Sequence, residues 1–375
     1  MEADFLADRI LRIDTSQIRK AFDLAARLKN PLNLSIGQPD FPVPEPVKEA
    51  MIRAVRDNQN AYSQTQGILP LREKLAQKYS KEFGYEYSPE NILVSTGVAS
   101  ILFLLFETLA NAGDEVLILE PWFLIYEALA SKYQLKLHTL PENFSREDVD
   151  ELLEKKPNLK FILFATPSNP TGKILSEQQL KELGRLAEAT NAILISDEIY
   201  RDYDYDEQFV SCAKFFPERT IVLGGFSKSH AMTGWRVGYA IAPKNLNFII
   251  QKMATLQQYS IVCSPTPAQH AAIVALDTPI TEELALMKRR REIVKKKLSN
   301  KVKFPAPDGA FYVFPDIPVD ADEFLQKAVE KSLLLVPGFI FTRNRKTVRI
   351  SYAQKEEILE EGLDIFLELC ELLSK

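Results

Sequence analysis

Short apolar segments alternate with amphipathic stretches through the middle of the chain. Short runs rich in Ile, Leu and Val are typical of buried strands, whereas residues 177–189 place their apolar side chains at helical spacing. Strands that alternate with helices predict an α/β fold with a mostly parallel seven-stranded sheet flanked by helices. The predicted strands are residues 92–94, 115–119, 136–140, 160–165, 192–196, 221–223 and 237–241.

The carboxyl-terminal part of the chain has a different pattern. Residues 281–298 form a highly charged helical stretch, and the apolar runs at 310–314 and 347–352 follow it. Helices separated by a few short strands predict a smaller α+β domain. The aromatic residues from Phe311 to Phe314 are expected to lie in its core.

The amino-terminal part is expected to contain a helix at residues 14–28. Four prolines between Pro39 and Pro46 predict a connector without regular structure. We therefore predict three units along the chain. They are an N-terminal arm over residues 1–46 that packs with the small domain, a large domain over 47–279 and a small C-terminal domain over 280–375.

Composition narrows the class of protein. The chain has 46 Lys and Arg against 51 Asp and Glu, a net charge of −5, so no attraction to nucleic acid or to an anionic membrane is expected. No segment approaches the roughly 20 apolar residues of a membrane helix, and the acidic start lacks a signal-peptide pattern. Cys212, Cys263 and Cys370 are too dispersed for a disulfide framework or a metal site. These features predict a cytoplasmic protein without a metal.

The common nucleotide-binding motifs are absent from the expected places. The turn after residues 92–94 contains a single glycine, Gly97, and Gly224-Gly225 is not followed by the third glycine of a dinucleotide site. Gly172-Lys173 is followed by Ile174, where a phosphate-binding P-loop needs Ser or Thr. A nucleotide-dependent enzyme is therefore disfavoured.

Three unusually polar segments follow neighbouring predicted strands. They are Ala165-Thr-Pro-Ser-Asn-Pro-Thr-Gly172, Ser196-Asp-Glu-Ile-Tyr200 and Gly225-Phe-Ser-Lys-Ser229. Because the carboxyl ends of parallel strands meet at one edge of a sheet, Asn169, Asp197, Tyr200 and Lys228 are expected to lie close together. Arg236 is expected to begin the next strand and to point back toward them.

These residue types suit pyridoxal phosphate. Lys228 supplies the amine that forms a Schiff base with the cofactor aldehyde. Asp197 supplies the carboxylate that keeps the pyridine nitrogen protonated, so that the ring accepts electrons. Tyr200 and Asn169 supply hydrogen-bond donors for the ring oxygen.

The cofactor phosphate and ring also have candidate partners. The helix start at Gly97-Val98-Ala99 offers backbone N–H groups to a phosphate, Arg236 offers a cation and Ser227 a hydroxyl. Phe123 is the candidate for the aromatic face over the ring, with Trp122 as the alternative.

At these residues the chain resembles a known family. The segment from Gly224 through Lys228 to Arg236 resembles the cofactor-lysine signature of class I/II aminotransferases, which are fold-type-I pyridoxal-phosphate enzymes of the aspartate aminotransferase superfamily. The resemblance covers about residues 30–355 and implies the fold-type-I architecture. The other matching motifs are Leu34-Ser-Ile-Gly37-Gln-Pro-Asp-Phe41, Ala61-Tyr62-Ser-Gln-Thr-Gln-Gly67, Asn169-Pro-Thr-Gly172, Ser196-Asp197-Glu-Ile-Tyr200, Gly309-Ala-Phe-Tyr-Val-Phe314 and Val348-Arg349-Ile-Ser351.

The resemblance implies further roles. Arg349 is expected to bind the substrate α-carboxylate through both arms of its guanidinium, with Asn169 beside it and the backbone of Gly37 closing over it. It also implies a homodimer in which Tyr62 reaches the phosphate of the partner subunit. Arg343 and Arg345, in the same predicted loop, are the alternatives to Arg349.

Two positions depart from the family pattern. Many members have a hydroxyl three residues before the lysine, where this chain has Gly225. Some aspartate-using relatives have a basic residue in the turn after the first sheet strand, where this chain has Val98-Ala99-Ser100-Ile101. The resemblance therefore leaves the preference for acidic substrates open.

The activity that the resemblance implies is ping-pong transfer of an amino group from an α-amino acid to a 2-oxo acid. A lyase or decarboxylase of the same fold is the alternative, because such enzymes share the lysine and the aspartate. A non-catalytic regulator that binds the cofactor is a weaker alternative, since the acidic charge disfavours DNA binding.

Overall fold

The structure, a computed structural model, describes residues 5–13 and 31–374. The helix expected at residues 14–28 lies outside the described residues. The described strands are β1 (Leu32–Asn33), β2 (Ile92–Ser95), β3 (Glu115–Glu120), β4 (Lys136–Pro141), β5 (Leu159–Ala165), β6 (Ile193–Asp197), β7 (Thr220–Gly225), β8 (Gly238–Ile241), β9 (Tyr312–Val313), β10 (Leu333–Leu334), β11 (Val336–Pro337) and β12 (Val348–Ser351).

Strands β2 to β8 form one seven-stranded sheet in the order β2-β8-β7-β6-β5-β3-β4. Neighbouring strands are parallel except that β8 runs antiparallel to both β2 and β7. The predicted mostly parallel sheet is confirmed, and each predicted strand agrees with the observed one to within about two residues at either end.

Both faces of the sheet are buried at its central strands, which explains why these strands are nearly continuous apolar runs. In β5, Phe161 and Leu163 pack into one hydrophobic cluster, whereas Ile162 and Phe164 pack into another on the opposite face. Successive side chains of a strand point to opposite faces, so a sheet covered on both sides needs apolar residues at every position.

Helices cover the sheet and form most of the remaining chain. The described α-helices are α1 (Asp8–Leu11), α2 (Glu45–Arg56), α3 (Leu69–Phe83), α4 (Val98–Leu109), α5 (Leu124–Lys132), α6 (Arg146–Glu154), α7 (Glu177–Thr190), α8 (Asn247–Gln258), α9 (Thr266–Ala275), α10 (Thr281–Leu298), α11 (Ala321–Glu330) and α12 (Glu356–Leu373). Helix α7 illustrates the local signals: the Ser176 side chain accepts a hydrogen bond from Gln179 N, and the helix ends at Asn191 in the left-handed conformation.

The proline cluster is partly helical, which the sequence interpretation did not foresee. Helix α2 begins at Glu45, and Pro46 lies within its first turn. A proline is tolerated there because the first N–H groups of a helix have no intrahelical partner. The prediction of irregular structure up to Pro46 was therefore wrong at its end.

A second region lies at the two ends of the described chain. Strands β11, β12 and β9 form an antiparallel sheet, shorter than the runs predicted at 310–314 and 347–352, and β1 pairs in parallel with β10. The β1–β10 pair joins the amino-terminal segment to the carboxyl-terminal part of the chain. The domain boundaries at residues 46 and 279 stay a prediction.

The described residues contain neither a candidate membrane span nor a candidate metal site. None of their helices is both long and apolar enough to cross a membrane. In residues 5–13 and 31–374, no three or more His, Cys, Asp or Glu side chains are placed together to hold a metal ion.

Candidate active site

A cavity of about 300 Å³ lies at the carboxyl ends of the parallel strands β5, β6 and β7. This edge is where ligands bind in open α/β sheets. Except for Tyr62, the site residues predicted from the sequence line this cavity. They are Gly37, Val98, Ala99, Phe123, Asn169, Asp197, Tyr200, Ser227, Lys228, Arg236 and Arg349.

Lys228 lies three residues beyond the end of β7. Its Nζ donates a 2.6 Å hydrogen bond to the carbonyl oxygen of Gly37. The pKa of Lys228 is lowered to about 8, mainly by burial and further by Arg349 and Arg236, while Asp197 opposes the shift. An amine with this pKa is partly neutral near pH 8, as a nucleophile or base must be.

Asp197 is the last residue of β6 and is 3% exposed. Its Oδ2 accepts a 2.7 Å hydrogen bond from the Tyr126 hydroxyl, and its Oδ1 accepts one of 3.2 Å from the Ile199 N–H. Burial raises the pKa of Asp197 to about 6, although both hydrogen bonds and Lys228 oppose the rise. A buried carboxylate of this kind gains most from a cationic partner in the cavity.

The sequence interpretation missed Tyr126. It lies on helix α5 with its side chain packed in a hydrophobic cluster of the seven-stranded sheet, so its position in the sequence resembles that of an ordinary core residue. Only the structure shows that its hydroxyl holds the Asp197 carboxylate in place.

Tyr200 and Asn169 face the cavity from neighbouring loops. The Tyr200 hydroxyl lies 2.7 Å from the hydroxyl of Tyr312, and Asn169 Oδ1 accepts a 3.0 Å hydrogen bond from Arg349 Nη1. Burial and Tyr312 raise the pKa of Tyr200 well above its usual value, so this phenol remains protonated and able to donate. Tyr312 was expected only in the core; it is buried there and also lines the cavity.

Arg349 lies on β12 with an exposed fraction of only 1%. Its Nη2 donates a 2.8 Å hydrogen bond to Ser35 O, and its guanidinium carbon lies 4.5 Å from the centre of the Tyr312 ring. Its Nε has no hydrogen-bond partner among the described residues. The alternatives Arg343 and Arg345 do not line the cavity.

The turn between β2 and α4 can bind an anion. Gly97 has a φ of +86°, and helix α4 begins at Val98 with its first N–H groups free. A Cβ on Gly97 would lie 2.6 Å from Arg236 Nη2, so the glycine allows the guanidinium to approach the helix start. The Arg236 Nη2 itself donates a 3.0 Å hydrogen bond to Thr96 O.

The expected position of Arg236 needs a correction. Arg236 does not begin the next strand: it has a left-handed φ of +58° and ends a short 3₁₀ turn, and β8 begins at Gly238. A Cβ on Gly238 would lie 2.8 Å from Gly97 Cα, so strand pairing starts only where a glycine permits this close contact. The side chain of Arg236 still lines the cavity.

The structure distinguishes the two candidates for the aromatic face over the ring. Phe123 lines the cavity, whereas Trp122 is 3% exposed and packs in the hydrophobic cluster beneath it. Gly225, the position where the family resemblance leads one to expect a hydroxyl in many members, does not line this cavity. A Cβ on Gly225 would lie 3.1 Å from Gly238 Cα, so the space for a larger residue is tight.

Tyr62 is 86% exposed and does not line the cavity of its own chain. A role for this residue in a cofactor site therefore requires a second copy of the chain.

The chemistry of the lining residues fits pyridoxal phosphate. The cavity brings together a lysine of lowered pKa, a buried carboxylate, a protonated phenol and a helix start beside an arginine. The buried Arg349 Nε without a partner is a free donor for a ligand carboxylate. Because residue 97 is a glycine, Arg236 can lie close to the helix start, as an anion site requires.

Comparison with known proteins agrees with this arrangement. The family model for aminotransferase class I and II matches residues 29–366. The probable aspartate aminotransferase of Methanocaldococcus jannaschii is 38% identical over 98% of this chain and 100% of its own length. Aromatic-amino-acid aminotransferase 2 of Thermococcus litoralis is 36% identical over 96% of each chain. The aspartate aminotransferase structure of Thermotoga maritima has a TM-score of 0.90 at 32% identity, covering 98% of this chain and 100% of its own.

Proposed function

We propose substrates and residue roles for this chain, which belongs to the class I and II aminotransferase family and is a pyridoxal-phosphate-dependent aminotransferase. The proposed donors are α-amino acids with apolar or aromatic side chains. The observation that carries this proposal is the set of charges in the cavity, which three cationic side chains of the described residues line: Lys228, Arg236 and Arg349. Each of them is assigned below to the cofactor or to the substrate α-carboxylate, so none is left to pair with a charged substrate side chain.

The reacting groups surround the cofactor ring. When bound, pyridoxal phosphate supplies an aldehyde carbon and an electron-accepting ring. Lys228 would hold the cofactor through its aldehyde, and the Lys228 amine, once free, would serve as the base and acid for the substrate α-proton. Asp197 holds the proton on the ring nitrogen, and Tyr200 and Asn169 donate hydrogen bonds to the ring oxygen.

The phosphate and the ring face are held by other residues. The backbone N–H groups of Val98 and Ala99 and the Ser227 hydroxyl donate to the phosphate, and Arg236 supplies a positive charge. Phe123 covers one face of the ring.

The substrate carboxylate is held on the opposite side of the cavity. Arg349 offers its unpartnered Nε and a second donor to the carboxylate in the two-pronged geometry that arginine favours. Asn169 orients the guanidinium through its 3.0 Å hydrogen bond. Gly37 contributes backbone that closes over the carboxylate.

The substrate side chain then meets an apolar wall. Ile36, Ile125 and Phe123 line the cavity, and no fourth Lys or Arg of the described chain does so. Val98 is uncharged, and it stands in the turn where some aspartate-using relatives have a basic residue. A second substrate carboxylate placed there would be desolvated without a partner, which is costly.

Aspartate is the second candidate donor. It is favoured by the names of the similar proteins from Methanocaldococcus jannaschii and Thermotoga maritima, whereas the name of the Thermococcus litoralis protein favours aromatic donors.

A comparison of donors decides between the two candidates. We expect kcat/KM for phenylalanine to exceed that for aspartate by at least about 10-fold, because leaving a buried charge unpaired costs at least about 1–3 kcal/mol. Asparagine, which has nearly the shape of aspartate without its charge, separates charge from size. The Val98→Lys variant should raise kcat/KM for aspartate and leave that for asparagine nearly unchanged. Equal or better use of aspartate by the unaltered protein would refute the apolar preference.

We also propose that the chain forms a homodimer in which Tyr62 binds the phosphate of the partner subunit. The support is its 86% exposure, which is unusual for a tyrosine and leaves its hydroxyl free to reach another copy. The Tyr62→Phe variant should bind pyridoxal phosphate roughly 10-fold more weakly in equilibrium dialysis, the worth of one hydrogen bond to a charged group. Tyr259→Phe, at an 83% exposed tyrosine, is the matched control. A monomer in sedimentation, or an unchanged affinity, would contradict the proposal.

A reducing cytoplasm is the proposed location. Cys212, Cys263 and Cys370 are all free, and Cys212 and Cys370 are buried.

A further inference from the structure

Tyr312 contacts three parts of the site that were assigned separate tasks. Its hydroxyl lies 2.7 Å from the Tyr200 hydroxyl, and its ring centre lies 4.5 Å from the Arg349 guanidinium carbon. A Cβ on Gly37 would lie 2.5 Å from the Tyr312 hydroxyl oxygen, so this loop packs directly on the phenol. Tyr312 is 1% exposed and lines the cavity.

The register of the small sheet explains this placement. Tyr312 on β9 pairs with Ser351 on β12, two residues from Arg349 on the same strand. Residues two apart on a strand project from the same face, so the tyrosine ring and the guanidinium meet there.

Each phenol has one hydroxyl hydrogen, but only one of the two hydrogens can lie in the hydrogen bond between them. Among the described residues, each hydroxyl has the other as its only hydrogen-bond partner. If Tyr312 donates, the Tyr200 hydrogen is free to point into the cavity that both residues line. If Tyr200 donates, its hydrogen is not available to a ligand.

The surrounding charges favour the first arrangement. Burial raises the pKa of Tyr312, but the Arg349 charge over its ring opposes the rise. At Tyr200, burial and Tyr312 also raise the pKa, the Asp197 carboxylate adds to the rise, and Arg349 opposes it. A cation over its ring makes a phenol a better donor and a nearby carboxylate makes it a poorer one. The Arg349 guanidinium carbon lies 4.5 Å from the Tyr312 ring centre, so Tyr312 is the better donor.

We propose that Tyr312 is a positioning residue for the reaction: its hydroxyl donates to Tyr200 and leaves the Tyr200 hydrogen for the ring oxygen of the cofactor, while its ring supports Arg349 at the substrate carboxylate. This inference rests on the proposed roles of Tyr200 and Arg349. It links the carboxylate side of the cavity to the cofactor side through one side chain.

The test is a pH titration of the visible absorbance of the cofactor-loaded Tyr312→Phe protein. The hydrogen bond from Tyr200 stabilises the negatively charged ring oxygen. It therefore lowers the pKa of the proton that this oxygen shares with the neighbouring nitrogen of Lys228. Loss of the Tyr312 donor weakens this bond. We expect the titration midpoint to rise by roughly 0.5–1 pH unit, the equivalent of one hydrogen bond.

Other charged groups near Lys228 are unchanged in this variant; they are Asp197, Arg236 and Arg349. Tyr352→Phe is the matched control, because Tyr352 is equally buried in the same region and its hydroxyl donates to Ala310 O instead. The control midpoint should not move.

Each outcome bears on the inference. A midpoint that stays the same contradicts it, and a midpoint that falls shows that Tyr200 donates to Tyr312. In a Tyr200→Phe background, Tyr312→Phe should produce no further rise, since Tyr312 acts through Tyr200. A further rise of equal size there would refute the relay. Absence of a visible band in the unaltered protein would instead overturn the proposed cofactor role of Lys228.

Discussion

The Lys228→Ala variant is expected to lose at least about 10⁴-fold in transaminase turnover. In the proposed mechanism Lys228 both holds the cofactor and moves the substrate proton, and among the described residues it is the one lysine that lines the cavity. Single-turnover absorbance measurements with a saturating amino acid give the rate directly. The cavity itself should remain, because the only side-chain hydrogen bond that Lys228 makes to the described residues is the one to Gly37 O.

Two controls separate chemistry from charge and from folding. Lys228→Arg keeps the positive charge but cannot form the bond, so it should be as inactive as the alanine variant. Lys244→Ala removes an exposed lysine remote from the cavity and should keep full activity. Since the pKa of Lys228 is about 8, capture of added cofactor by the cofactor-free protein should accelerate as pH rises through that value. Full turnover by Lys228→Ala would refute the assignment.

The Asp197→Asn variant is expected to lose about 10³-fold in kcat while still binding the cofactor. An amide has nearly the same shape but cannot stabilise a protonated ring nitrogen, so the ring accepts electrons poorly. The loss should appear in kcat more than in KM, since the proposed partner of Asp197 is the cofactor ring and not the substrate carboxylate. Asp202→Asn, at a partly exposed aspartate that does not line the cavity, should be unaffected.

Although Asp197→Asn should lower kcat, it should raise the stability of the cofactor-free protein at pH 8. Burial raises the folded-state pKa of Asp197 to about 6, above the usual value of 3.8. Stability is therefore lost as pH rises through about 6 and the buried carboxyl ionises, whereas below about 4 no such loss occurs. The cofactor-free Asn variant should melt higher than the parent at pH 8, with a difference that shrinks toward pH 4. A lower melting temperature at pH 8 would contradict this account.

The strand pattern and the main reacting groups follow from local sequence. Lys228, Asp197 and Asn169 each come shortly after a buried apolar run, and parallel strands bring their carboxyl ends to one edge. That rule depends only on strand direction, so it holds without knowledge of side-chain packing. The glycine at position 97 was likewise recognisable, because a turn into a helix that binds an anion needs such a residue.

Only the tertiary structure decided which apolar-looking positions serve the site. Tyr126 and Tyr312 have the periodicity of core residues, yet their hydroxyls meet Asp197 and Tyr200 across 71 and 112 positions of sequence. Whether a buried tyrosine faces packed side chains or a cavity depends on how distant elements pack, and local spacing holds no information about that. The left-handed turn at Arg236 was also hidden, since it stands beside a close contact between Gly97 and Gly238 that local spacing does not show. The sequence by itself determined the sheet and its reactive edge; long-range packing decided how those reactive groups are held.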